Sequence, residues 1–420
     1  MSRSVVLGVQ LSTKKGGKYG KIGNVHVGVN LGKSGKSSAR EGGLYVTVEQ
    51  SNVGDTISHP QLQNSRLVAI WLLLVLAPCL IAAVICGIQK AVSDAECTYS
   101  MDVSNARNGD ISIWSIALSP DDRFLLLGTT AGIYLYDLNA SQVVWSRGTP
   151  CTVTSVALDP KGMFVAGGLD NGPVLLMNAN DGKLLHRFTG HRREINQFAW
   201  SSDGKLLASA GWDNTSRIWD VQTYRLIHTF VGVQPSDQSS MFTSMTSIAF
   251  SPDNSLLATG HSPFGLITIW DVSVGKQARV IDTNSPRVTS LVWSKDNSIV
   301  VAATEGIMQE SNDISGWHIA TGQPTFTLEW PEATPSNLTW SPDYSQLAAS
   351  VGTQGKIVVW EVESQKVSHV FSLCNCYFHD VLFSHDGKQL IAATSDKVIA
   401  WNMESSEEMI ILDAAQLPPP

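Results

Sequence analysis

The body of the chain repeats one pattern of hydrophobic and polar residues seven times. In each copy an apolar strand runs into a tight turn rich in Ser, Asp and Pro, and a second apolar strand rich in Ala and Leu follows. Proline presets φ at the second turn position, whereas Asp, Asn and Gly tolerate the remaining turn angles. The turns are Ser119–Asp122, Asp159–Gly162, Ser201–Gly204, Ser251–Asn254, Ser294–Asn297, Ser341–Tyr344 and Ser384–Gly387. Their starts lie 40, 42, 50, 43, 47 and 43 residues apart.

Each period also has room for a third and a fourth strand. Four short strands cannot bury a core alone, but when stacked radially they share faces and protect their edges. The pattern therefore predicts an all-β fold, a seven-bladed β-propeller over residues 111–413, with a short tail over residues 414–420. Because Glu408–Asp413 supplies a fourth strand for the last blade, we expect the first and last blades to close the ring by apposition, with Cys97–Val103 covering the seam.

A different pattern precedes the repeats. Leu67–Ile88 is a run of 22 residues without one charged side chain. As a helix it would be about 33 Å long, which matches a hydrocarbon core about 30 Å thick, and Arg66 and Lys90 flank it. The run is too long and too far from the N-terminus for a cleaved signal peptide, and a buried soluble helix is the remaining alternative. We expect a single-pass transmembrane helix over residues 66–89, followed by a linker over residues 90–110.

Charge divides the chain at this span. The formal net charge of −8 combines +6 up to Arg66 with −14 after it. The positive-inside rule then keeps the basic head in the cytoplasm and places the propeller on the other side of the membrane. Residues 1–65 are rich in Gly, Ser and Lys, and their apolar alternations at Val25–Val29 and Leu44–Val48 are too few to bury a core. We expect a mostly disordered tail that rests on anionic lipid, without a nucleic-acid partner, because aromatic residues for base stacking are scarce.

The repeats resemble the WD40 family. Gly190-His191 and Trp219-Asp220 reproduce the GH and WD dipeptides of that family within one repeat, and Trp270-Asp271 is a second WD dipeptide. The resemblance covers residues 111–413 and implies a propeller that holds other proteins together. For the third repeat it also implies a buried hydrogen-bonded tetrad, which here maps onto His191, Ser209, Asp213 and Trp219.

The sequence offers no pattern for a catalytic nucleophile, a pair of catalytic acids, a metal site or a cofactor site. Cys374 and Cys376 with His379 and His385 come nearest to a ligand cluster, but their spacing differs from that of a zinc knuckle. If the propeller lies outside the cytoplasm, Cys97 is a candidate to form a disulfide with Cys374 or Cys376 across the ring seam. Buried free thiols are the alternative.

Long loops of neighbouring blades form a candidate binding patch. Val231–Phe242, His261–Phe264 and Glu305–Asp313 are expected to share one face. Apolar side chains inside a polar rim are typical of protein-binding sites. The alternative is that these surface loops have become longer without a binding role. The expected anchors are Met241, Phe242, Phe264 and Met308. The sequence therefore predicts a membrane-anchored, non-enzymatic scaffold for protein partners.

A propeller enzyme or small-ligand sensor, similar to a quinoprotein dehydrogenase, is the rival interpretation. The turns at residues 178–183 and 320–323, ahead of Trp330, would contribute to such a site, although they also suit ordinary repeat turns. An absorbing cofactor in the purified protein would favour this rival.

Overall fold

A computed structural model describes residues 7–15, 18–29, 44–48, 111–232, 243–306, 313–330, 333–352, 355–373 and 376–420. The chain divides into two compact units, Met1–Ile85 and Cys86–Pro420. The expected transmembrane span and linker, residues 66–110, lie outside the described residues. Within the described residues, no helix is both long enough and apolar enough to cross a bilayer.

The first unit contains a three-stranded antiparallel sheet of β1 (Leu7–Lys15), β2 (Lys18–Val29) and β3 (Leu44–Val48). The two apolar alternations noted in the sequence pair with each other, with Val25 opposite Val48 and Val29 opposite Leu44. The expectation of a mostly disordered tail is therefore wrong for these strands. Backbone pairing along two long strands satisfies their N–H and C=O groups, which a count of apolar side chains does not register.

The second unit contains seven four-stranded antiparallel sheets, which are the blades, each with its strands in chain order. Blade one is β4 (Ile113–Leu118), β5 (Phe124–Thr129), β6 (Gly132–Asp137) and β7 (Gln142–Gly148). Blade two is β8 (Val153–Leu158), β9 (Phe164–Leu169), β10 (Val174–Asn178) and β11 (Leu184–Phe188). Blade three is β12 (Ile195–Trp200), β13 (Leu206–Gly211), β14 (Thr215–Asp220) and β15 (Arg225–Val231). Blade four is β16 (Ser244–Phe250), β17 (Leu256–Ser262), β18 (Leu266–Asp271) and β19 (Lys276–Asp282).

The remaining blades follow the same plan. Blade five is β20 (Arg287–Trp293), β21 (Ile299–Glu305), β22 (Asp313–His318) and β23 (Pro324–Glu329). Blade six is β24 (Pro335–Trp340), β25 (Gln346–Val351), β26 (Lys356–Glu361) and β27 (Lys366–Ser372). Blade seven is β28 (Asp380–Phe383), β29 (Gln389–Ala393), β30 (Lys397–Asn402) and β31 (Glu408–Asp413), and a 3₁₀ turn covers Ala414–Gln416. The predicted seven-bladed β-propeller is thus confirmed.

The repeated turns join the first and second strands of each blade on one face of the ring, which we call the bottom face. In six of the turns the first residue is a serine whose hydroxyl donates to the aspartate two positions later, as in Ser201 to Asp203 at 2.7 Å. The fourth residue of every turn has a positive φ, and these residues are Asp122, Gly162, Gly204, Asn254, Asn297, Tyr344 and Gly387. The repeated Ser, Asp, Asn and Gly residues are thus explained by backbone geometry.

The core lies between adjacent blades rather than within one. Ile218 of β14 packs with Met245 of β16 and Leu257 of β17, and Val288 of β20 packs with Ile267 of the preceding blade. Aromatic residues of the first strands contribute to this core: Phe250, Trp293 and Phe383 are buried, and Trp200 and Trp340 are half-buried against it. Because each blade buries its apolar face only against its neighbours, the ring has to close to exclude water from the outermost sheets.

The ring closes by apposition, as expected from the pattern of strands. All four strands of blade one come from the start of the repeat region, and all four strands of blade seven come from its end. The two blades meet where β28 and β29 pack against β4. The backbone N–H of Ile113 donates to the carbonyl of Ser395 at 2.8 Å. Residues 414–420, expected as a tail, also contribute: Leu417 is buried beside Tyr134 of β6, and the Tyr134 hydroxyl donates to the carbonyl of Pro418 at 3.0 Å. The segment expected to cover the seam lies outside the described residues.

Candidate functional site at the top of the central channel

The innermost strands β4, β8, β12, β16, β20, β24 and β28 surround a central channel. They begin on the face opposite the repeated turns, which we call the top face. Near the start of five of these strands, β8, β12, β16, β20 and β24, a polar side chain reaches the next blade. Thr154 donates to the carbonyl of Ile195 at 2.8 Å, and Asn196 donates to that of Met245 at 2.6 Å. Thr246, Thr289 and Asn337 make the equivalent bonds to Val288, Pro335 and Phe378.

These residues form the wall of a cavity of about 370 Å³. Its lining is mainly hydroxyl and amide groups, and their hydrogen bonds to the next blade fix their orientation. The wall differs at blade one, where Trp114 lies at the position that Thr154 holds in blade two. The Trp114 side chain is 39% exposed. A tryptophan therefore replaces a hydrogen-bonding residue where blade seven meets blade one.

Two further rings join Trp114 in what we call the aromatic cluster, formed by Trp114, Tyr377 and His379. The centroid of the Trp114 ring lies 5.0 Å from that of His379, and the His379 ring lies 5.3 Å from Tyr377 in an edge-on arrangement. Tyr377 is 46% exposed, whereas His379 is half-buried, and burial lowers the pKa of its imidazole. The cluster presents two exposed aromatic side chains on a half-buried imidazole.

Asp380 lies directly below this cluster. Its Oδ2 accepts hydrogen bonds from the Ser115 hydroxyl and the Ile116 backbone N–H, both at 3.1 Å. Burial raises the pKa of this carboxyl to about 6, although the two hydrogen bonds act in the opposite direction. Neither Asp380 nor the aromatic cluster was singled out from the sequence, because their members come from opposite ends of the propeller and share no local pattern.

The structure brings together the four residues of the tetrad in blade three. The Trp219 indole N–H donates to Ser209 Oγ at 3.0 Å, and Ser209 Oγ lies 2.8 Å from His191 Nε2. His191 Nδ1 donates to Asp213 Oδ1 at 3.0 Å. Because a carboxylate only accepts, the imidazole carries its proton on Nδ1 and accepts the serine proton at Nε2.

Asp213 ends this chain of hydrogen bonds. Burial alone would raise the pKa of its carboxyl, but the hydrogen bond and charge of His191, with further bonds from Thr215 and the Arg192 backbone N–H, outweigh burial and lower it to about 2. The tetrad lies in the core between strands, away from the channel, and its chemistry is that of a structural element.

Blade four contains a related cluster that the sequence did not reveal. His261 was expected in a loop, but it lies in β17 and is buried. Its Nε2 accepts from the Thr268 hydroxyl at 2.9 Å, while the Trp270 indole N–H donates to Thr259 at 2.9 Å. Burial without a carboxylate partner lowers the pKa of His261 to about 4. The signal in the sequence was Thr259, which occupies the position of Ser209.

Of the four expected anchors of the candidate patch in blades three to five, the structure describes one, Phe264. Phe264 is half-buried in the β17–β18 connection, so it is less exposed than expected. Met241, Phe242 and Met308 lie outside the described residues. The patch remains a prediction.

The structure describes two of the four cysteines that follow the hydrophobic run, Cys151 and Cys376. Cys151, between blades one and two, is buried and disulfide-bonded, although it was not assigned to a bridge. Cys376 is half-buried against the core that joins blades six and seven. Cys97 and Cys374 lie outside the described residues.

No group of three or more His, Cys, Asp and Glu side chains with the geometry of a metal site occurs in the described part of the chain. The turns considered for a propeller enzyme are hairpin turns between β10 and β11 and between β22 and β23. In the first, the Gly182 N–H donates to the carbonyl of Asn178 at 2.9 Å. Trp330 packs edge-on against Trp360 with centroids 6.3 Å apart.

Comparison with known proteins locates the repeats independently. The family described as "WD domain, G-beta repeat" matches residues 182–220 and 237–271, which cover most of blades three and four. The family described as "Anaphase-promoting complex subunit 4 WD40 domain" matches residues 116–196.

Individual proteins are similar over parts of the chain. Periodic tryptophan protein 2 homolog of Schizosaccharomyces pombe is 35% identical over 128 residues, which are 30% of this chain and 14% of that protein. WD repeat-containing protein SL1-17 of Schistosoma mansoni is 30% identical over 208 residues, which are 49% of this chain and 64% of that protein. The chain thus spans less than two thirds of the length of either relative.

A solved structure shares the fold. A chain in "Crystal Structure of Mitotic Checkpoint Complex" superposes with a TM-score of 0.58 at 20% identity, over 67% of this chain and 83% of that one. Repeat matches in blades one to four and the observed ring of seven sheets agree. The chain therefore folds as a seven-bladed β-propeller, and the matched segments are similar to the repeats of the WD40 family.

Proposed function

We propose that the propeller is a non-enzymatic protein-interaction scaffold that binds a protein segment at the aromatic cluster. The observation that carries the proposal is the pair of exposed rings, Trp114 and Tyr377, above a 370 Å³ cavity in an otherwise polar channel. Exposed aromatic side chains held rigidly by neighbouring groups are the usual anchors of protein interfaces. The similarity to a chain from a structure of the mitotic checkpoint complex, an assembly of proteins, supports a scaffold.

The proposal extends to the membrane. Leu67–Ile88 has the length and composition of a single transmembrane helix, and the charge distribution favours a cytoplasmic basic head that contacts anionic lipid. The propeller then lies on the extracytoplasmic side. The disulfide at Cys151 supports this orientation, because disulfides persist in oxidising compartments.

Crosslinked pull-down with the full-length protein tests the binding site. We expect Trp114→Ala with Tyr377→Ala to lose most of the captured partners, since both anchors are removed. Tyr224→Ala is a matched control, because Tyr224 is a similarly exposed aromatic residue on the outer edge of blade three. Unchanged capture by the double variant would contradict the proposed site.

The same experiment distinguishes the rival surface. Replacement of Met241, Phe242 and Met308 by alanine probes the loops of blades three to five. Loss of partners in this variant alone would move the binding site from the aromatic cluster to those loops.

Protease protection and alkaline extraction of membranes test the anchor. We expect the full chain to resist extraction, a variant lacking residues 67–88 to be released, and the propeller of intact cells to be accessible to external protease. A propeller digested only after the membrane is opened would reverse the proposed orientation, and release of the full chain would contradict the anchor.

A further inference from the structure

The junction between blades seven and one differs chemically from the other junctions on the top face. At three other junctions a neutral side chain accepts a backbone N–H of the next blade. The pairs are Ser115 with Val156 at 3.2 Å, Gln197 with Ile248 at 2.9 Å, and Ser290 with Leu338 at 3.0 Å. Asp380 occupies the equivalent place at the last junction and accepts from Ile116 at 3.1 Å. A carboxyl therefore replaces a hydroxyl or an amide.

The bottom face shows the same replacement. Asn254 accepts from the Ser202 N–H at 2.7 Å, and Asn297 accepts from the Asp253 N–H at 3.1 Å. At the last junction the residue in this place is Asp122. Its carboxylate accepts from the backbone N–H groups of His385 and Asp386 at 2.8 and 3.1 Å, and lies 2.7 Å from His385 Nδ1. On both faces, a carboxyl group thus bonds this junction where a neutral side chain bonds the others.

We propose that the blade seven–blade one junction is a pH-responsive closure of the ring, which acidification strengthens. On the top face acid removes the charge of the Asp380 carboxyl, which accepts the backbone N–H of Ile116 across the junction.

The surroundings of Asp380 do not supply a compensating charge. The described strands packed against β28 are β4, β24, β25 and β29, and none of them carries a charged or titratable side chain. The other titratable groups lining the channel are His379 and His385. Burial lowers the pKa of His379 and so disfavours its charged form, and His385 is bonded to Asp122. At neutral pH the carboxylate of Asp380 is therefore stabilised only by the Ser115 hydroxyl and by backbone N–H groups.

The groups around Asp122 are engaged elsewhere. Arg123 forms an ion pair with Asp137 at 2.9 Å, and Lys388 lies 3.6 Å from Asp386. Asp121 accepts from Ser119. Among the described residues, His385 is therefore the one basic side chain in direct contact with the Asp122 carboxylate.

The sign follows from the burial of Asp380. Because its pKa is raised to about 6 in the closed ring, the closed form binds a proton more readily than an opened form in which the carboxyl meets water. Protonation between pH 7 and 4 therefore favours closure, and closure weakens as pH rises through 6. Since Trp114 and His379 belong to opposite sides of the junction, opening also separates members of the aromatic cluster. The proposal itself holds whether or not a partner binds there.

Hydrogen exchange of the full-length protein at pH 5.0 and 7.5 tests the closure. After correction for the intrinsic pH dependence of exchange, we expect the Ile116 amide to exchange about tenfold more slowly at pH 5.0. The Ile248 amide, bonded to neutral Gln197, should change less than twofold.

Two substitutions separate the proposal from a general effect of acid. Asp380→Asn keeps the acceptor oxygen without a titratable proton, so the dependence at Ile116 should disappear. Gln197→Glu places a carboxyl at the blade three–blade four junction. The exchange of the Ile248 amide should then become slower at low pH, as that of Ile116 does in the wild type. The proposal would be overturned if exchange of the Ile116 amide kept its pH dependence in Asp380→Asn. It would also be overturned if this amide showed no pH dependence in the wild type. If Asp380→Asn fails to fold, a pH-independent Ile248 amide in Gln197→Glu overturns it instead.

Discussion

Blade three and blade six have the same strand register but differ in the side chains that pack around the buried tryptophan of the third strand. In both, a buried tryptophan of the third strand pairs with a leucine of the second: Trp219 with Leu207, and Trp360 with Leu347. Two residues along the second strand, blade three has Ser209 and blade six has Ala349. The Trp219 indole N–H therefore has an acceptor, whereas the buried N–H of Trp360 has no hydrogen-bond partner.

The difference shows that one hydroxyl decides whether a polar cluster forms. Ser209 links an indole to an imidazole and, through it, to Asp213. In blade six the space is filled by apolar contact, with Trp330 packed edge-on against Trp360. A fully bonded polar set specifies one geometry, whereas apolar packing tolerates a donor without a partner at a cost of about 1–3 kcal/mol.

The largest effect is expected from Ser209→Ala, which makes blade three resemble blade six. It leaves both the His191 Nε2 and the Trp219 indole N–H buried without their partner, so we expect a loss of about 2–4 kcal/mol in the free energy of unfolding. Denaturant unfolding of the full chain measures this loss. Ser209→Thr is the matched control, because Thr259 performs the same role in blade four, and it should stay near wild type. Equal losses in both variants would assign the effect to packing instead.

Removing the far end of the cluster should cost less. His191→Ala or Asp213→Ala leaves one buried partner unsatisfied, and we expect a loss of about 1–3 kcal/mol. Glu363→Ala, an exposed acidic residue in a turn of blade six, is the control and should change stability little. A melting temperature unchanged in both cluster variants would show that the tetrad does not stabilise blade three.

Blade four sharpens the comparison through pH. Its His261 is buried without a carboxylate, and its pKa is lowered from 6.5 to about 4. The unfolded chain therefore binds a proton at a higher pH than the folded one, and stability is lost as pH falls from 6.5 towards 4. Between pH 7 and 5.5 we expect His261 to account for about 1 kcal/mol of this loss.

His261→Gln provides the measurement, because it removes the titrating group. Unfolding curves at pH 7 and 5.5 should differ less in the variant than in the wild type. In blade three, by contrast, the pKa of Asp213 is lowered to about 2, so its contribution is lost only below about pH 4. A pH dependence that His261→Gln leaves intact would exclude His261 as its source.

The sequence predicted the propeller because the turn chemistry is local: a positive φ recurs at each of the seven turns, and a Ser–Asp hydrogen bond recurs at six of them. The resemblance to WD40 repeats likewise named the four tetrad residues. The aromatic cluster and Asp380 were missed, because Trp114 and His379 meet only when the ring closes. Residues 414–420 were expected only as a short tail, yet Leu417 is buried, since a short segment can dock without periodicity.

The smallest effect, and the only gain, is expected from Ala349→Ser, which makes blade six resemble blade three. Because Ala349 has the register of Ser209, a serine hydroxyl there would accept the Trp360 indole N–H, and we expect a gain of about 1 kcal/mol. Ala348→Ser is the control. Ala348 is equally buried but lies on the opposite face of β25, so its hydroxyl would meet apolar neighbours and destabilise the fold. If both variants lose stability, the space beside Trp360 is too tightly packed for a hydroxyl, and blade six differs from blade three in shape as well as in chemistry.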